Sequence, residues 1–314
     1  VSRGLGDVYK RQDTTPAAQE FNVAIVQQLD HASLDEIRTA IVAQLQALAQ
    51  EKGIKVNIQE FNGQNDATVL NQIGAQVVGD GVDLIIPIAT LAAQCMVTAA
   101  DGTDIPIVYA AISDPEAAGL TGLDNVTGTS DALNTAFILD MMLAANPDIK
   151  TVGLLYSNSE ANSSTPIAEA KAYLKEKQID FVEKTGNTSG EIVEAAASMV
   201  GRVDAVFTPT DNVVMAAEVT VAETLNEAGI PHYTGADSFV AAGAFATCGV
   251  NYTELGTYTA DMAMDILLGG AVPEYHVMDG GIITVNTETA AILGIDYSVF
   301  SSMANTVVEV KTGE

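Results

Sequence analysis

The sequence predicts an α/β fold of two similar doubly wound lobes with parallel sheets, and three observations carry that prediction. Short apolar runs, too brief for helices and bounded by polar residues, alternate with longer stretches at helical spacing, the alternation that builds parallel sheets covered by helices. The pattern that starts at Asn22 starts again at Thr151, near mid-chain. A chain of 314 residues with 48% hydrophobic content is also long enough to build two cores.

In the first half, the strand Val23 to Val26 runs into a polar turn of Gln27, Gln28, Asp30, His31 and Ser33. Leu34, Ile37, Ile41, Leu45 and Leu48 then mark one face of a helix. A second strand, Lys55 to Phe61, and a second helix lead to the Asp-led apolar segment DLIIPIATLAAQ from Asp83, and a further helix leads to IPIVYAAISD from Ile105. The second half follows the same plan. Its first strand, Val152 to Tyr156, enters a loop of Ser157, Asn158, Glu160, Asn162, Ser163 and Ser164. Pro166 sits in the first helical turn, so Ser163, Ser164 or Thr165 is placed to cap the helix that Ala168, Ala170, Ala172 and Leu174 continue. The strand Ile179 to Lys184, the segment DAVFTPTDNVVMA from Asp204 and the Ile-Pro pair at Ile230 complete the copy.

Composition excludes several classes of function. A net charge of −28, with thirteen Lys and Arg against forty-one Asp and Glu, argues against nucleic-acid binding, which needs clustered cations for phosphate contacts. No apolar run reaches eighteen residues, so no membrane-spanning helix is expected. The segment 1–20 stands outside the pattern, with three basic residues balanced by three acids, and shows no signal-peptide core or lipid-accepting cysteine. We read it as a disordered or non-native leader, with no export signal visible. Cys95 and Cys248 have neither metal-ligand nor redox spacing and are read as small buried hydrophobes. No cofactor motif is present: the phosphate-binding and dinucleotide glycine patterns, G-x-S-x-G and H-E-x-x-H are all missing from the sequence.

The chemistry is sought at the carboxyl ends of the strands, where ligands bind in open α/β sheets. The first half offers Gln28, Asp30 and His31, then Thr90, then Ser113 and Asp114, with Ser130 near a crossover. The second offers Ser157, Asn158, Glu160 and Asn162, then Thr210, Asp211 and Asn212, then Asp237 and Ser238. None is Lys or Arg, so a phosphate or dicarboxylate, which would recruit a cation, is disfavoured. A zwitterion fits better. Its ammonium would meet Asp211 or Asp237, and its carboxylate would meet Thr90 and Ser113, or the turn Ser157 to Ser164, aided by helix amino ends. Taken singly, Asp211, Thr90 and Ser163 are more simply explained as helix caps, and Tyr109, Tyr156 and Tyr252 are explained as core or cleft-edge aromatics; the recurrence of polar clusters at corresponding strand ends in both halves is what favours a site.

Several segments in order also carry a family resemblance: HASLD, IPIVYAAISDPEAAGL, NVTGTSDAL, LLYSNSEANS, VFTPTDNVV and GVNYTELG. Over Phe21 to Val310 the chain resembles the substrate-binding proteins of bacterial ABC importers, in particular the family associated with tryptophan and other aromatic amino acids. The resemblance implies a type I periplasmic-binding-protein fold with lobes joined by a three-segment hinge. Lobe 1 would comprise 21–130 plus 249–280, and lobe 2 would comprise 131–248 plus 281–314. Gly249, Gly280 and Gly281 fall at the crossings. It implies a monomer that closes on its ligand, works with a membrane permease and acts outside the cytoplasm, in the periplasm or as a cell-surface lipoprotein. By matching motifs the expected ligand-binding residues are Gln28, His31, Thr90, Ser113, Asp114, Ser130, Asn158, Glu160, Asn162, Asp211, Asn212 and Asp237. An aromatic amino acid is the expected ligand. A branched-chain amino acid, a sugar or a nucleoside is the alternative, and an enzyme on the same scaffold or the ligand core of a transcription regulator stands further off. The chain departs from the expected pattern in carrying no Trp to stack on an aromatic ligand.

Overall fold

A computed structural model of the chain describes residues 18–314, so the leader reading lies outside the described residues as far as residue 17. In the first half, β1 (Glu20–Gln27), α1 (Ala32–Lys52), β2 (Lys55–Asn62), α2 (Ala67–Gly79), β3 (Leu84–Ile88), α3 (Thr90–Ala99), β4 (Ile107–Tyr109) and β5 (Val126–Ser130) alternate as expected. The first strand starts at Glu20, inside the segment assigned to the leader, because Lys55 N donates to Gln19 O and the β1–β2 ladder begins at the Glu20–Lys55 pair.

The second half repeats the plan with α4 (Thr135–Ala145), β6 (Thr151–Tyr156), α5 (Ser164–Glu176), β7 (Asp180–Thr185), α6 (Ser189–Met199), β8 (Ala205–Thr208), α7 (Asn212–Glu227), β9 (His232–Thr234), α8 (Asp237–Ala241) and β10 (Ala246–Gly249). After β10 come α9 (Tyr252–Leu267), β11 (His276–Val277), β12 (Ile282–Asn286), α10 (Thr287–Leu293) and β13 (Thr306–Val310).

Two sheets result. One is six-stranded, ordered β11-β5-β4-β3-β1-β2, and the other seven-stranded, ordered β13-β12-β10-β9-β8-β6-β7. The runs β2-β1-β3-β4-β5 and β7-β6-β8-β9-β10 have the same order, so the repeat seen in sequence is a repeat of topology, with the switch points between β1 and β3 and between β6 and β8. Every pairing is parallel except β10 with β12, which is antiparallel. The expected parallel sheets are present, with this one antiparallel pair at the re-entry of the chain. β12 does not enter through a right-handed helical crossover; it arrives directly from the other lobe, which leaves its direction free.

The central strands β3 and β8 are buried along their whole length, as strands covered by helices on both faces must be. On α1 the stripe Leu34, Ile37, Ile41 and Leu45 is buried, with Leu48 half-buried at its end. The second sheet buries Leu154, Phe207, Tyr233, Phe245 and Phe300. The chain passes between the sheets three times: after β5, after β10, and between β11 and β12. Gly281 on the last passage has φ +85°, a conformation that glycine adopts without strain. Cys95 and Cys248 are both free and buried.

Candidate functional site

The carboxyl ends of the two sheets face each other across a cavity. It is lined from the first lobe by His31, Ser33 and Leu34 after β1, Ala89 and Thr90 after β3, and Ala111 and Ser113 after β4. Asp131 and Tyr252 line it from the crossovers, and Asn162, Thr210, Asp211, Asn212, Met215, Ala236 and Phe239 from the second lobe. No Lys or Arg lines it among the described residues. The free space is about 20 Å³, room for about one water, so the lobes are shut on the cavity.

Among the described residues, five side-chain hydrogen bonds hold them shut. Gln28 Nε2 donates to Glu160 Oε1 at 3.0 Å, and Thr165 Oγ1 donates to Asp114 Oδ2 at 2.8 Å. The Ser33 and Ser238 hydroxyls bond each other, and the Ser113 and Thr210 hydroxyls pair at 2.9 Å. His31 Nε2 lies 2.9 Å from Asn212 Oδ1. Because Asn212 Nδ2 donates to Glu160 Oε2 at 2.7 Å, Oδ1 must be the acceptor, which puts a proton on His31 Nε2. His31 Nδ1 is buried without a partner among the described residues, and burial holds the ring's pKa below its usual value, so the neutral form is favoured.

The two lobes present different helix starts. Asp211 is the N-cap of α7, and both its carboxylate oxygens are engaged: Oδ1 accepts from Val214 N at 3.0 Å, and Oδ2 from Ser157 N at 2.8 Å and Ser163 Oγ at 2.7 Å. The capping role weighed from sequence is therefore its role here, and the hydroxyl of Ser163 serves Asp211 instead of capping α5. Glu160, also buried, accepts from Gln28 and from both the backbone and side-chain nitrogens of Asn212. Burial and then the charge of Asp211 push its pKa up. Gly235 lets the chain pass close to this corner: a Cβ there would come within 2.7 Å of Thr210 N.

By contrast, α3 starts bare. Its N-cap, Ala89, has no side chain with which to cap and holds φ +77°, ψ 164°, a region that costs a non-glycine residue about 1–3 kcal/mol. Gln28 Oε1 accepts from Leu91 N at 3.0 Å. Thr90, only 3% exposed, has neither a hydroxyl nor an N–H partner among the described residues, and it lines the cavity. Ala111, a second lining residue with positive φ, stands at +58°.

Of the residues expected at the site, His31, Thr90, Ser113, Asn162, Asp211 and Asn212 line the cavity, while Gln28 and Glu160 stand behind it as the buried bond between lobes. Asp114 lies on the rim in its bond to Thr165, and Ser130 is buried in the crossover, bonded to Ser113 O and Ala132 N. Two placements need correction. Asn158 is exposed and donates to Thr185 Oγ1 at 2.9 Å, because the turn from Ser157 to Glu160 swings it outward. Asp237 faces a separate cavity of about 440 Å³, opposite Glu36 of α1; α8 presents its neighbours Ala236 and Phe239 to the site instead.

Sequence reasoning missed Ser33, Asp131, Ala111, Met215 and Phe239 as lining residues and treated Tyr252 as an ordinary aromatic. Asp131 had a usable signal, since it follows Ser130 at the end of β5. Tyr252 OH donates to Asp131 Oδ2 at 2.8 Å, and Ser113 Oγ stands 3.4 Å from Oδ1. Complete burial pushes the pKa of Asp131 up.

Comparison with known proteins fits this architecture. The family model for ABC transporter substrate binding proteins matches residues 22–307. A tyrosine-binding protein of Clostridioides difficile (strain R20291) is 33% identical over 286 residues, covering 89% of this chain and 82% of its own. The crystal structure of an ABC domain in complex with L-Trp from Streptococcus pneumonia is 30% identical, with a TM-score of 0.85 over 92% of this chain and 100% of that one. A ligand-free, open substrate-binding protein with adhesive properties from Clostridium difficile is 33% identical yet superposes at only 0.69, over 93% and 99% of the two chains. The lower score at the higher identity is what a different lobe arrangement produces, and it agrees with the shut cleft seen here. The chain belongs to the ABC transporter substrate binding protein family.

Proposed function

We propose that the chain carries one aromatic amino acid, tryptophan, tyrosine or phenylalanine, in the cavity between its lobes, as the extracytoplasmic solute-binding component of an ABC importer. Membership of a family of binding proteins makes it a carrier and not an enzyme. The observation that carries the ligand reading is the lining itself. Carboxylate, hydroxyl and amide groups but no Lys or Arg stand beside an apolar wall of Leu34, Met215, Phe239 and Tyr252. Such a surface suits a zwitterion with a large apolar side chain and rejects a phosphate or a second carboxylate.

The bare start of α3, with the unpartnered Thr90 hydroxyl and N–H, receives the ligand carboxylate. Two relatives at about this level of identity support the aromatic class, one named for tyrosine and one crystallised with L-Trp. The lobes must part for entry and then close around the ligand less tightly than they shut when empty, because the shut cavity has no room for an amino acid. The protein then works as a monomer, in the periplasm or tethered at the cell surface, and delivers its ligand to a membrane permease. Its charge of −28 keeps it off nucleic acid.

A thermal-shift screen over amino acids, sugars and nucleosides tests this reading. An aromatic amino acid at a hundred times its dissociation constant should add about 2.7 kcal/mol of stability. Stabilisation by a sugar or nucleoside alone refutes it.

A further inference from the structure

We propose that Asp131, oriented by Tyr252, receives the α-ammonium group of the ligand. The proposal rests on reading the cavity as an amino-acid site and names the group that reads the amine. Four carboxylates stand near enough to be considered. Asp211 already accepts from three donors through both oxygens and serves as a cap. Glu160 already accepts three hydrogen bonds from Gln28 and Asn212 and stands behind the lining. Asp237 faces another cavity.

Of the two that line the cavity, Asp131 keeps the greater acceptor capacity. A carboxylate offers about four lone-pair sites, and here only the Tyr252 hydroxyl at 2.8 Å and the Ser113 hydroxyl at a long 3.4 Å occupy any. Asp131 is 5% exposed, and no Lys or Arg stands in the lining to balance it. A buried carboxylate so placed is costly until a cation joins it, and burial already raises its pKa. The ammonium of a zwitterion supplies that cation within a closed, weakly screened space.

Tyr252 acts as a positioning residue. Its hydroxyl has one proton and gives it to Oδ2, which fixes the carboxylate plane and leaves Oδ1 the more available oxygen. The pair also joins two of the three passages between the lobes, since Asp131 follows β5 and Tyr252 opens α9. Charge received at Asp131 is therefore received at the hinge.

The test is titration calorimetry of the whole chain with L-tyrosine, L-tryptophan and L-phenylalanine and with their deaminated 3-arylpropanoate analogues. Wild type should bind at least one amino acid roughly thirtyfold or more tighter than its analogue, the loss typical of an unpaired buried charge partner. Asp131→Asn should bring the amino acid down to the level of the analogue while leaving the analogue within about threefold of its wild-type affinity. Tyr252→Phe should weaken the amino acid severalfold and spare the analogue, a selectivity that general damage to the fold would not give. Wild-type affinity for the amino acid in Asp131→Asn overturns the proposal and leaves the amino-acid reading standing, as does an equal loss of amino acid and analogue. Should Asp131→Asn fail to fold, the discrimination shown by wild type and the selective loss in Tyr252→Phe decide the matter. Failure of wild type to bind any of the six compounds overturns both readings together.

Discussion

Asp237 and Glu36 bring carboxylates from the two lobes into one cavity, which Glu314 also lines and no Lys or Arg does among the described residues, and this predicts a specific dependence of stability on pH. Burial, and then the charge of Glu36, push the pKa of Asp237 from 3.8 to about 6. That displacement corresponds to about 3 kcal/mol for a fully enclosed group, and to about 1–2 kcal/mol after the screening its partial exposure allows. Because the folded value lies above the unfolded one, ionised Asp237 weakens the fold. The penalty is absent below pH 3.8, grows as the pH rises toward 6 and is complete above it. Asp237→Asn removes the charge and keeps the shape. The variant should therefore be the more stable at pH 7.5, by about 2–5 °C in melting temperature, and the advantage should shrink steadily toward pH 4. Thermal unfolding of both proteins without ligand, in steps from pH 4 to pH 8, measures this. A variant less stable than wild type at pH 7.5, or a difference that stays flat with pH, would refute the reasoning and return Asp237 to consideration as a ligand contact.

Asp211→Ala removes an N-cap and leaves Ser157 N and Ser163 Oγ without their acceptor, so denaturant unfolding should show a loss of about 3 kcal/mol even without ligand. Glu218 and His232 form a fully buried pair at 2.9 Å. Thr208 Oγ1 donates to Leu155 O and so must accept from His232 Nε2, which leaves Glu218 and His232 Nδ1 to share a proton; Glu218→Ala should cost about 3–5 kcal/mol by the same measurement. Small-angle scattering should give a smaller radius of gyration with the stabilising amino acid than without it, and an unchanged radius counts against hinge closure. Calorimetry at 50 and 500 mM salt should change the dissociation constant of that amino acid by less than about threefold, while aspartate and glutamate bind poorly; a steep salt dependence would mean that a cation reaches the site.

Most of the fold is legible in sequence because each element carries its own local signature. The Leu34 to Leu48 stripe marks a helix, the unbroken apolar run of β3 marks a buried parallel strand, and the recurrence of both at half length marks a second lobe. The direction of β12 has no such signature, since it depends on where the chain re-enters the second lobe. The site divides in the same way. His31, Thr90, Ser113 and Asn212 are legible because parallel-sheet topology obliges the residue after each strand to stand at the cleft. Asn158 and Asn162 look alike in sequence, and a tight turn turns one outward and the other in. Asp131 could be found as the residue after β5, but Tyr252 stands on a crossover where no strand-to-helix pattern flags the position, and the bond between them spans 121 residues of chain.

Opening and closing must also be nearly balanced for a carrier to work, and the contacts across the cleft suit that balance. All five hydrogen bonds that close the lobes join side chains, and no sheet ladder crosses. At roughly 1 kcal/mol net each, they favour the shut form by only a few kcal/mol. Against them stand Glu160, Asp131 and Asp237, carboxylates whose pKa values burial raises, so that each resists being enclosed while charged. A ligand shifts such an equilibrium only through a preference for one state, and an ammonium delivered to a buried carboxylate has that preference, because the opposing charge exists in dry surroundings only when the lobes are shut. Asp131, one of the acidic groups that make the empty cleft reluctant to close, is thus the one through which a zwitterion closes it. A ligand of the same shape without the amine would leave the resistance in place.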